Sequence, residues 1–158
     1  SNTDLSITRI RTDETRPYRG VAVAIGTNPL GSSIDPYLGA AHGAADSMRR
    51  LAACGAFPIA ALQLLNFGNP EDFRQISEFA ESVRGISDGC RIWGVPILSD
   101  TVSFYNSSPL GSALPTPALA MCGILPRYEK RCSPAFRRKG DKILWVGSPE
   151  LSVKASEF

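Results

Sequence analysis

The sequence predicts an α/β domain, a mixed sheet with helices on one face. Three observations predict it. Short apolar runs alternate with two long segments of helical period, the pattern of a sheet covered by helices. Each helical segment opens on an Asp-Pro or Asn-Pro pair and closes on glycine, the usual start and stop signals. The chain has 158 residues, 43% hydrophobic and 20% charged, which suits one domain able to bury a core without staples. No repeat of ~20–50 residues marks a solenoid or propeller.

The elements follow in order. Residues 3–10 alternate loosely and end in Thr8-Arg9-Ile10, a short strand. Residues 21–25 are a compact apolar run, a buried strand closed by Gly26 and Pro29-Leu30-Gly31. Asp35 caps a helix with Pro36 at its first position, and Gly55 stops it. Leu38, Ala41, Ala45, Met48 and Ala52 are its expected apolar face. Residues 59–65 form the next strand, left through Asn66-Phe67-Gly68-Asn69-Pro70. A second helix starts with Asn69 as cap and Pro70-Glu71-Asp72 as an acidic first turn. Its stripe is Phe73, Ile76, Phe79, Val83, Ile86, Cys90 and Trp93, core residues rather than a cofactor box. Gly94 ends it. Strands are expected over 95–98 with 101–105, over 117–124 and over 143–146. The order is therefore β-β-α-β-α-β-β-β.

Composition excludes several classes. No apolar run approaches the ~18–20 residues of a membrane helix, and no charged-then-apolar leader opens the chain. A net charge of +2 is too mild to indicate nucleic acid. The charge is uneven, however. Residues 127–142 hold seven basic residues against Glu129 and Asp141. Two readings stand for this segment: a solvated connecting loop, or a contact with an acidic domain or a phosphate. The cysteines at 54, 90, 122 and 132 show neither zinc nor Cys-x-x-Cys spacing, so reduced thiols in a cytoplasmic protein are expected. His42 is the one histidine, which rules out a three-histidine metal site and most histidine-based triads.

Residues able to carry chemistry are few. Asp46 and Arg50 share a helix face, as an i,i+4 ion pair or with the carboxylate holding a hydrated Mg²⁺, although arginine is no metal ligand. Asp4 by itself indicates nothing. Ser99-Asp100-Thr101-Val102-Ser103 places oxygens at a strand end, for turn bonding or for a ligand. The loop from Asn66 to Pro70 leads into a helix N-terminus, which accepts anions. Neither a Gly-x-x-x-x-Gly-Lys-Ser/Thr nor a Gly-x-Gly-x-x-Gly loop is present. Spacing alone stops at an α/β domain with anion-accepting loops.

The same segments carry a resemblance. Asp35-Pro36-Tyr37-Leu38-Gly39-Ala40, Arg49, Leu51-Ala52, Gly55-Ala56, Pro58 and Leu65-Asn66-Phe67-Gly68-Asn69-Pro70 are colinear with Val83-Arg84-Gly85-Ile86-Ser87-Asp88, Val102-Ser103-Phe104-Tyr105-Asn106 and Pro115-Thr116-Pro117. Together they resemble phosphoribosylformylglycinamidine (FGAM) synthase over nearly the whole chain. The match is to the N-terminal subdomain of its second aminoimidazole ribonucleotide (AIR) synthetase-like half. The resemblance implies residues 1–139 as that domain and 140–158 as the start of the next, cut from a longer polypeptide.

It also implies an activity of purine biosynthesis: an ATP-dependent carbon–nitrogen ligase with glutamine as amide donor. The amide oxygen of formylglycinamide ribonucleotide is phosphorylated, and ammonia displaces the phosphate. ATP as substrate, Mg²⁺, and a glutaminase domain or subunit come with it. So does a sheet-to-sheet partner, either the first half of the same polypeptide or a second copy of this domain. Ser103 matches the substrate-contacting serine. Gln63 stands for an ATP-contacting aspartate. Asp100 and Thr101 replace a Gly-Asn pair, the glycine near nucleotide and the asparagine on Mg²⁺. Asp4 and Asp46 resemble metal-binding acidic positions of an auxiliary nucleotide site, where Arg50 replaces an asparagine and pairs with phosphate or with Asp46. His42 matches no family motif and is a helix-face residue. Two readings follow: an active synthase with rearranged ligands and an inactive isolated domain, or a non-catalytic homologue serving as a structural or nucleotide-binding scaffold. A selenophosphate- or thiamine-phosphate-type kinase fits the loop motifs less well.

Overall fold

The computed structural model describes residues 5–11, 14–133, 135–136 and 138–147. The chain forms β1 (Leu5–Arg9), β2 (Gly20–Thr27), α1 (Pro29–Ile34), α2 (Pro36–Cys54), β3 (Phe57–Asn66), α3 (Phe73–Trp93), β4 (Ile97–Ser103), β5 (Ser107–Ser108), β6 (Gly111–Ser112) and β7 (Thr116–Leu125). Five strands make one sheet in the order β1-β2-β7-β3-β4. Only β3 and β4 are parallel, joined by the α3 crossover. The tiny β5–β6 hairpin stands apart. The α/β fold class read from the sequence is the one observed, with α2 and α3 covering one face.

The helix termini follow the sequence signals. Asp35 accepts the Leu38 amide at 2.9 Å, Pro36 opens α2, and Gly55 closes it with φ 90°. Gly94 closes α3 at φ 66°. The start of α3 differs from expectation. Its cap is Asp72, which accepts from the Arg74 amide at 2.8 Å, whereas Asn69 accepts from Glu71 in a turn before the helix. The short helix α1 replaces the expected turn after β2. Asn28-Pro29 starts it in the same manner as Asp35-Pro36, with Asn28 accepting from Gly31 at 2.8 Å.

The faces of the helices also depart from expectation. The buried side of α2 is Gly39, Ala40, Gly43, Ala44, Ser47, Leu51 and Cys54. Leu38 and Ala52 are exposed, so the expected stripe is rotated away from the core. The physical reason is close approach. A Cβ on Gly26 of β2 would stand 2.1 Å from the Gly43 carbonyl oxygen, so α2 lies nearly on the sheet backbone. In α3, Phe73 is 86% exposed and Ile76 also faces outward, while Gln75, Glu78 and Ser82 turn inward beside Ile86 and Cys90. Phe79 packs at 5.5 Å on Phe67 and at 5.2 Å on Phe104.

Register assigns the two sheet faces. Ala22, Ala24 and Gly26 oppose Gly123, Met121 and Leu119 on the helix side. Val21, Val23 and Ile25 oppose Ile124, Cys122 and Ala120 on the far side, continued by Ala60, Leu62 and Leu64 of β3. Ile25 is half exposed and Val23 exposed. On β2 the larger apolar residues thus lie on the open face and the small ones under α2. Residues 143–146, expected as a strand, join no ladder and are exposed. An extended run without a neighbour to bond has no sheet to stabilise it.

The contact between α2 and α3 is as close as that between α2 and the sheet. A Cβ on Gly85 would stand 2.2 Å from the Tyr37 carbonyl oxygen, which is backbone and cannot swing aside. Gly85→Ala is expected to cost about 2–3 kcal/mol in urea unfolding. Ser77→Ala, at an exposed position of the same helix, should change stability by less than ~0.5 kcal/mol.

Candidate functional site

The carboxyl ends of the parallel strands are the natural place for a ligand in an open α/β sheet. Here β3 ends at Asn66 and β4 at Ser103, which oppose each other. The loops beyond them are stitched together. The Phe67 amide donates to the Ser103 carbonyl at 2.9 Å, Tyr105 to Gly68 at 2.9 Å, and Asn106 to Phe67 at 3.1 Å. The Asn106 side chain adds two donations from Nδ2 at 2.9 Å, to the carbonyls of Phe67 and Ser103. The same nitrogen donates to the Ser103 hydroxyl at 3.2 Å, which lies 3.3 Å from Asn106 Oδ1. Ser103 is thereby held half-buried at the mouth.

Two further features fix this mouth. Tyr105 has φ 59°, an uncommon conformation for a residue with a side chain. It is maintained because Gly68 receives its amide. Gly68 in turn donates to Gln75 Oε1 at 2.9 Å, Gln75 Nε2 donates to Glu78 Oε2 at 3.2 Å, and Arg74 Nε donates to Glu78 Oε1 at 2.8 Å. The Glu78 carboxylate, 7% exposed, is the anchor of this chain of bonds. A Cβ on Gly68 would meet Gln75 Oε1 at 2.5 Å and Ser112 Oγ at 2.8 Å, so a side chain there would displace the Gln75 carboxamide from its bond to the loop. Beside the mouth lies an open depression of about 420 Å³ between Asn106 and Ala113, lined by Ser107, Ser108 and Ser112. Hydroxyls and amides there suit a hydrogen-bonding ligand. The start of α3 is less suited to an anion, because Glu71 and Asp72 already put negative charge at that dipole.

The residues singled out from the sequence fall in three places. Gln63 opposes Asp100 on the helix side of the sheet, where both line a cavity of about 290 Å³ walled by Leu65, Phe79 and Val83. Gln63 is 7% exposed and Asp100 is exposed. Thr101 opposes Leu64, and with Ser103 it belongs to the open face. Asp100 and Thr101, which stand in place of a Gly-Asn pair, point to opposite sides because strand residues alternate. Asp46 and Arg50 lie elsewhere, on α2. Arg50 Nη2 is 2.7 Å from Asp46 Oδ2, and Nη1 donates to the Ile25 carbonyl at 3.3 Å. Asp4 lies outside the described residues. His42 is an exposed helix-face residue with Nδ1 3.5 Å from Asn28 Nδ2.

Mg²⁺ has no ready place in this arrangement. The Asp46 oxygen a metal would take already faces a guanidinium, and among the described residues no group of three acidic, cysteine or histidine side chains clusters. The basic residues described in 127–142 face solvent except Arg131, which stacks on Tyr128 with its guanidinium carbon 4.2 Å from the ring. Arg137 lies outside the described residues. Away from the mouth, the Asp88 carboxylate accepts the Tyr37 hydroxyl at 3.1 Å and holds that phenol above its ordinary pKa.

Sequence reasoning did not assign roles to Asn106, Gln75 or Glu78. The signal for the last two is present, since polar residues at 75, 78 and 82 fall at core-facing spacing. Asn106→Ala should lose about 1–2 kcal/mol in denaturant unfolding and speed amide exchange at Tyr105. Asn106→Asp should be worse, because it turns a carboxylate toward the Phe67 and Ser103 carbonyls.

Comparison with known proteins places this geometry. A family model described as AIR synthase related protein, N-terminal domain, matches residues 6–125. The phosphoribosylformylglycinamidine synthase subunit PurL of Anaeromyxobacter sp. (strain Fw109-5) is 44% identical over 156 residues, covering 98% of this chain and 20% of that protein. PurL of Moorella thermoacetica is 38% identical over 140 residues, covering 89% and 19%. The chain thus spans about a fifth of the length of these relatives. Among solved structures, Thermotoga maritima PurL complexed with ATP matches with a TM-score of 0.73 at 22% identity, covering 84% of this chain and 22% of that one. The Aquifex aeolicus thiamine monophosphate kinase matches at 0.55 and 16% identity, over 76% of this chain and 37% of that one, a likeness of fold. The match over residues 6–125 takes in both long helices and all of the five-stranded sheet except Leu5, and the chain belongs to the family of AIR synthase related proteins as an N-terminal domain.

Proposed function

We propose that this chain is a domain of an FGAM synthase, the ATP-dependent ligase of purine biosynthesis that converts formylglycinamide ribonucleotide, ATP and glutamine-derived ammonia into FGAM, ADP and phosphate. Residues 1–139 are the AIR synthetase N-terminal-like unit and 140–158 open the following one. The observation that carries the reading is the stitched mouth at the ends of β3 and β4, which fixes Ser103 on the open face. Support comes from relatives named PurL along nearly the whole chain and from PurL of Thermotoga maritima solved with ATP and, separately, with FGAR. A cytoplasmic location goes with this activity. Among the described residues no helix is long and apolar enough to cross a membrane.

The roles follow from the faces. Ser103 donates a hydrogen bond to the ribonucleotide substrate, and Asn106 sets its orientation. Gln63 offers a neutral carboxamide to the nucleotide. Polyphosphate is kept away from Asp100, whose charge would repel it. Arg50 supplies a fixed cation beside Asp46 where a metal would otherwise sit. The residues described here do not assemble an Mg²⁺ site with Asp46 or Thr101, so no step is routed through that ion. The partner is a second sheet covering Val23, Ile25, Leu62 and Leu64, from the first AIR synthetase-like half of the polypeptide or from a second copy. A glutaminase domain or subunit delivers ammonia. T. maritima PurL is also solved within a PurLQS structure.

A second reading has one observation in its favour. Arg50 Nη2 lies 2.7 Å from Asp46 Oδ2, so this carboxylate is already paired with a cation, which favours a non-catalytic homologue serving as a structural or nucleotide-binding scaffold. Two measurements separate the readings. The intact parent polypeptide, given formylglycinamide ribonucleotide, Mg·ATP and ammonia, should release ADP in a substrate-dependent manner, and Ser103→Ala should lower kcat/KM by roughly 10–100-fold. Failure of turnover in a folded parent supports the scaffold. The 158-residue chain alone should sediment as a dimer at high concentration. Ile25→Glu, which puts a charge in the open face, should return it to monomer with its circular dichroism unchanged.

A further inference from the structure

Cys54 and Cys132 are brought together by the fold although they are far apart in the sequence. Cys54 is the last residue of α2 and is buried, whereas Cys132 lies just beyond the 3-10 turn Tyr128–Lys130 and is exposed. Their backbones are in direct contact, with the Cys132 amide donating to the Cys54 carbonyl at 3.2 Å. Such a bond keeps the two Cα atoms within roughly 6.5 Å of each other, inside the upper limit of about 6.8 Å for a disulfide. The Cys54 thiol donates to the Leu51 carbonyl at 3.1 Å and the Cys132 thiol to the Lys130 carbonyl at 4.0 Å, so the side chains turn from these carbonyls to meet. The contact is anchored rather than incidental. The Tyr128 amide donates to the Tyr18 carbonyl at 2.7 Å, and Arg131 both stacks on the Tyr128 ring and donates to its carbonyl at 3.2 Å. Cys90 in α3 and Cys122 in β7 have no hydrogen bond to another cysteine among the described residues.

We propose that Cys54 and Cys132 are a redox modification site: a low-molecular-weight disulfide of the glutathione class first modifies Cys132, and Cys54 then resolves the adduct into an intrachain disulfide. The asymmetry of the pair sets this order. Exposure gives a soluble oxidant access to Cys132. Burial pushes the Cys54 thiol up, and the nearby Cys132 sulfur pushes it the same way, so Cys54 waits as a protonated thiol. In the first step the Cys132 thiolate attacks one sulfur of oxidised glutathione, forming the mixed disulfide and releasing one glutathione thiolate. In the second, Cys54 loses its proton to solvent and attacks the Cys132 sulfur, and the second glutathione thiolate leaves. The two cysteines are oxidised by two electrons and one glutathione disulfide is reduced to two thiols. The product ties the start of the basic segment 127–142 to the end of α2, fixing where that segment departs from the domain. This inference is independent of the proposed ligase activity.

The test uses the 158-residue chain, folded and reduced, incubated with oxidised glutathione at pH 8 and followed by intact mass and tryptic peptide mapping. The expected product has lost two hydrogen atoms, joins the peptide containing Cys54 to that containing Cys132, and reverts with dithiothreitol. Cys54→Ser should stop at a glutathione adduct on Cys132, and Cys132→Ser, at an exposed position, should leave Cys54 unmodified. The proposal is overturned by a wild-type chain that keeps a stable adduct on Cys132, stays unmodified there, or forms its bridge through Cys90, Cys122 or a second chain.

Discussion

The distance at which α2 lies on the sheet governs most of what this domain is. Gly26 of β2 faces the Gly43 carbonyl with no room for a methyl group, and Gly85 of α3 faces the Tyr37 carbonyl in the same way. Between these two contacts Ser47 donates to the Leu119 carbonyl at 2.7 Å, joining helix to strand through a buried hydroxyl. A helix held this close buries small residues and backbone rather than long apolar side chains. The van der Waals contacts so gained are numerous although each side chain is short. The larger aliphatic residues of β2 are consequently left on the opposite face, beside Leu62 and Leu64 of β3. An apolar sheet face of this kind calls for a second layer, so the packing within the domain and the apolar character of its open face have one cause.

The mouth at the ends of β3 and β4 rests on a different kind of interaction. Its loops are held by backbone amides and two carboxamides, Asn106 and Gln75, with the buried Glu78 carboxylate behind them. Each bond contributes modestly on its own. Together they hold Tyr105 at a positive φ and Ser103 in one orientation. A network of this type gives geometry rather than charge, which suits positioning a polar substrate.

Alternation along β4 divides the expected ligand set. Asp100 joins Gln63 on the helix side, while Thr101 and Ser103 look toward the open face. Arg50 lies against Asp46 and the Ile25 carbonyl on α2. One arginine therefore links the helix surface to the same β2 strand whose side chains form the open face. The residues that differ from the family pattern do not form one altered pocket. They form two local solutions: an ion pair on α2, and a carboxamide with a carboxylate over an apolar wall.

The sequence by itself determined the α/β class, the two long helices with their glycine stops, and the strands at the centre of the sheet. These depend on local periodicity and capping, which a few consecutive residues encode. It also determined the family, through the colinear loop motifs from Asp35 to Pro117. Where α3 begins was less legible, because Asn69 and Asp72 are both capping residues and only the Gln75–Gly68 bond decides between them. The buried face of α2 was not legible, since Leu38 and Met48 outweigh Gly39 and Gly43 in any hydrophobic pattern. The opposite directions of Asp100 and Thr101 follow from alternation once β4 spans both. Only the tertiary structure decided the buried face of α2 and the meeting of Cys54 with Cys132. Each depends on backbone approach between segments far apart in the chain, which no local pattern records.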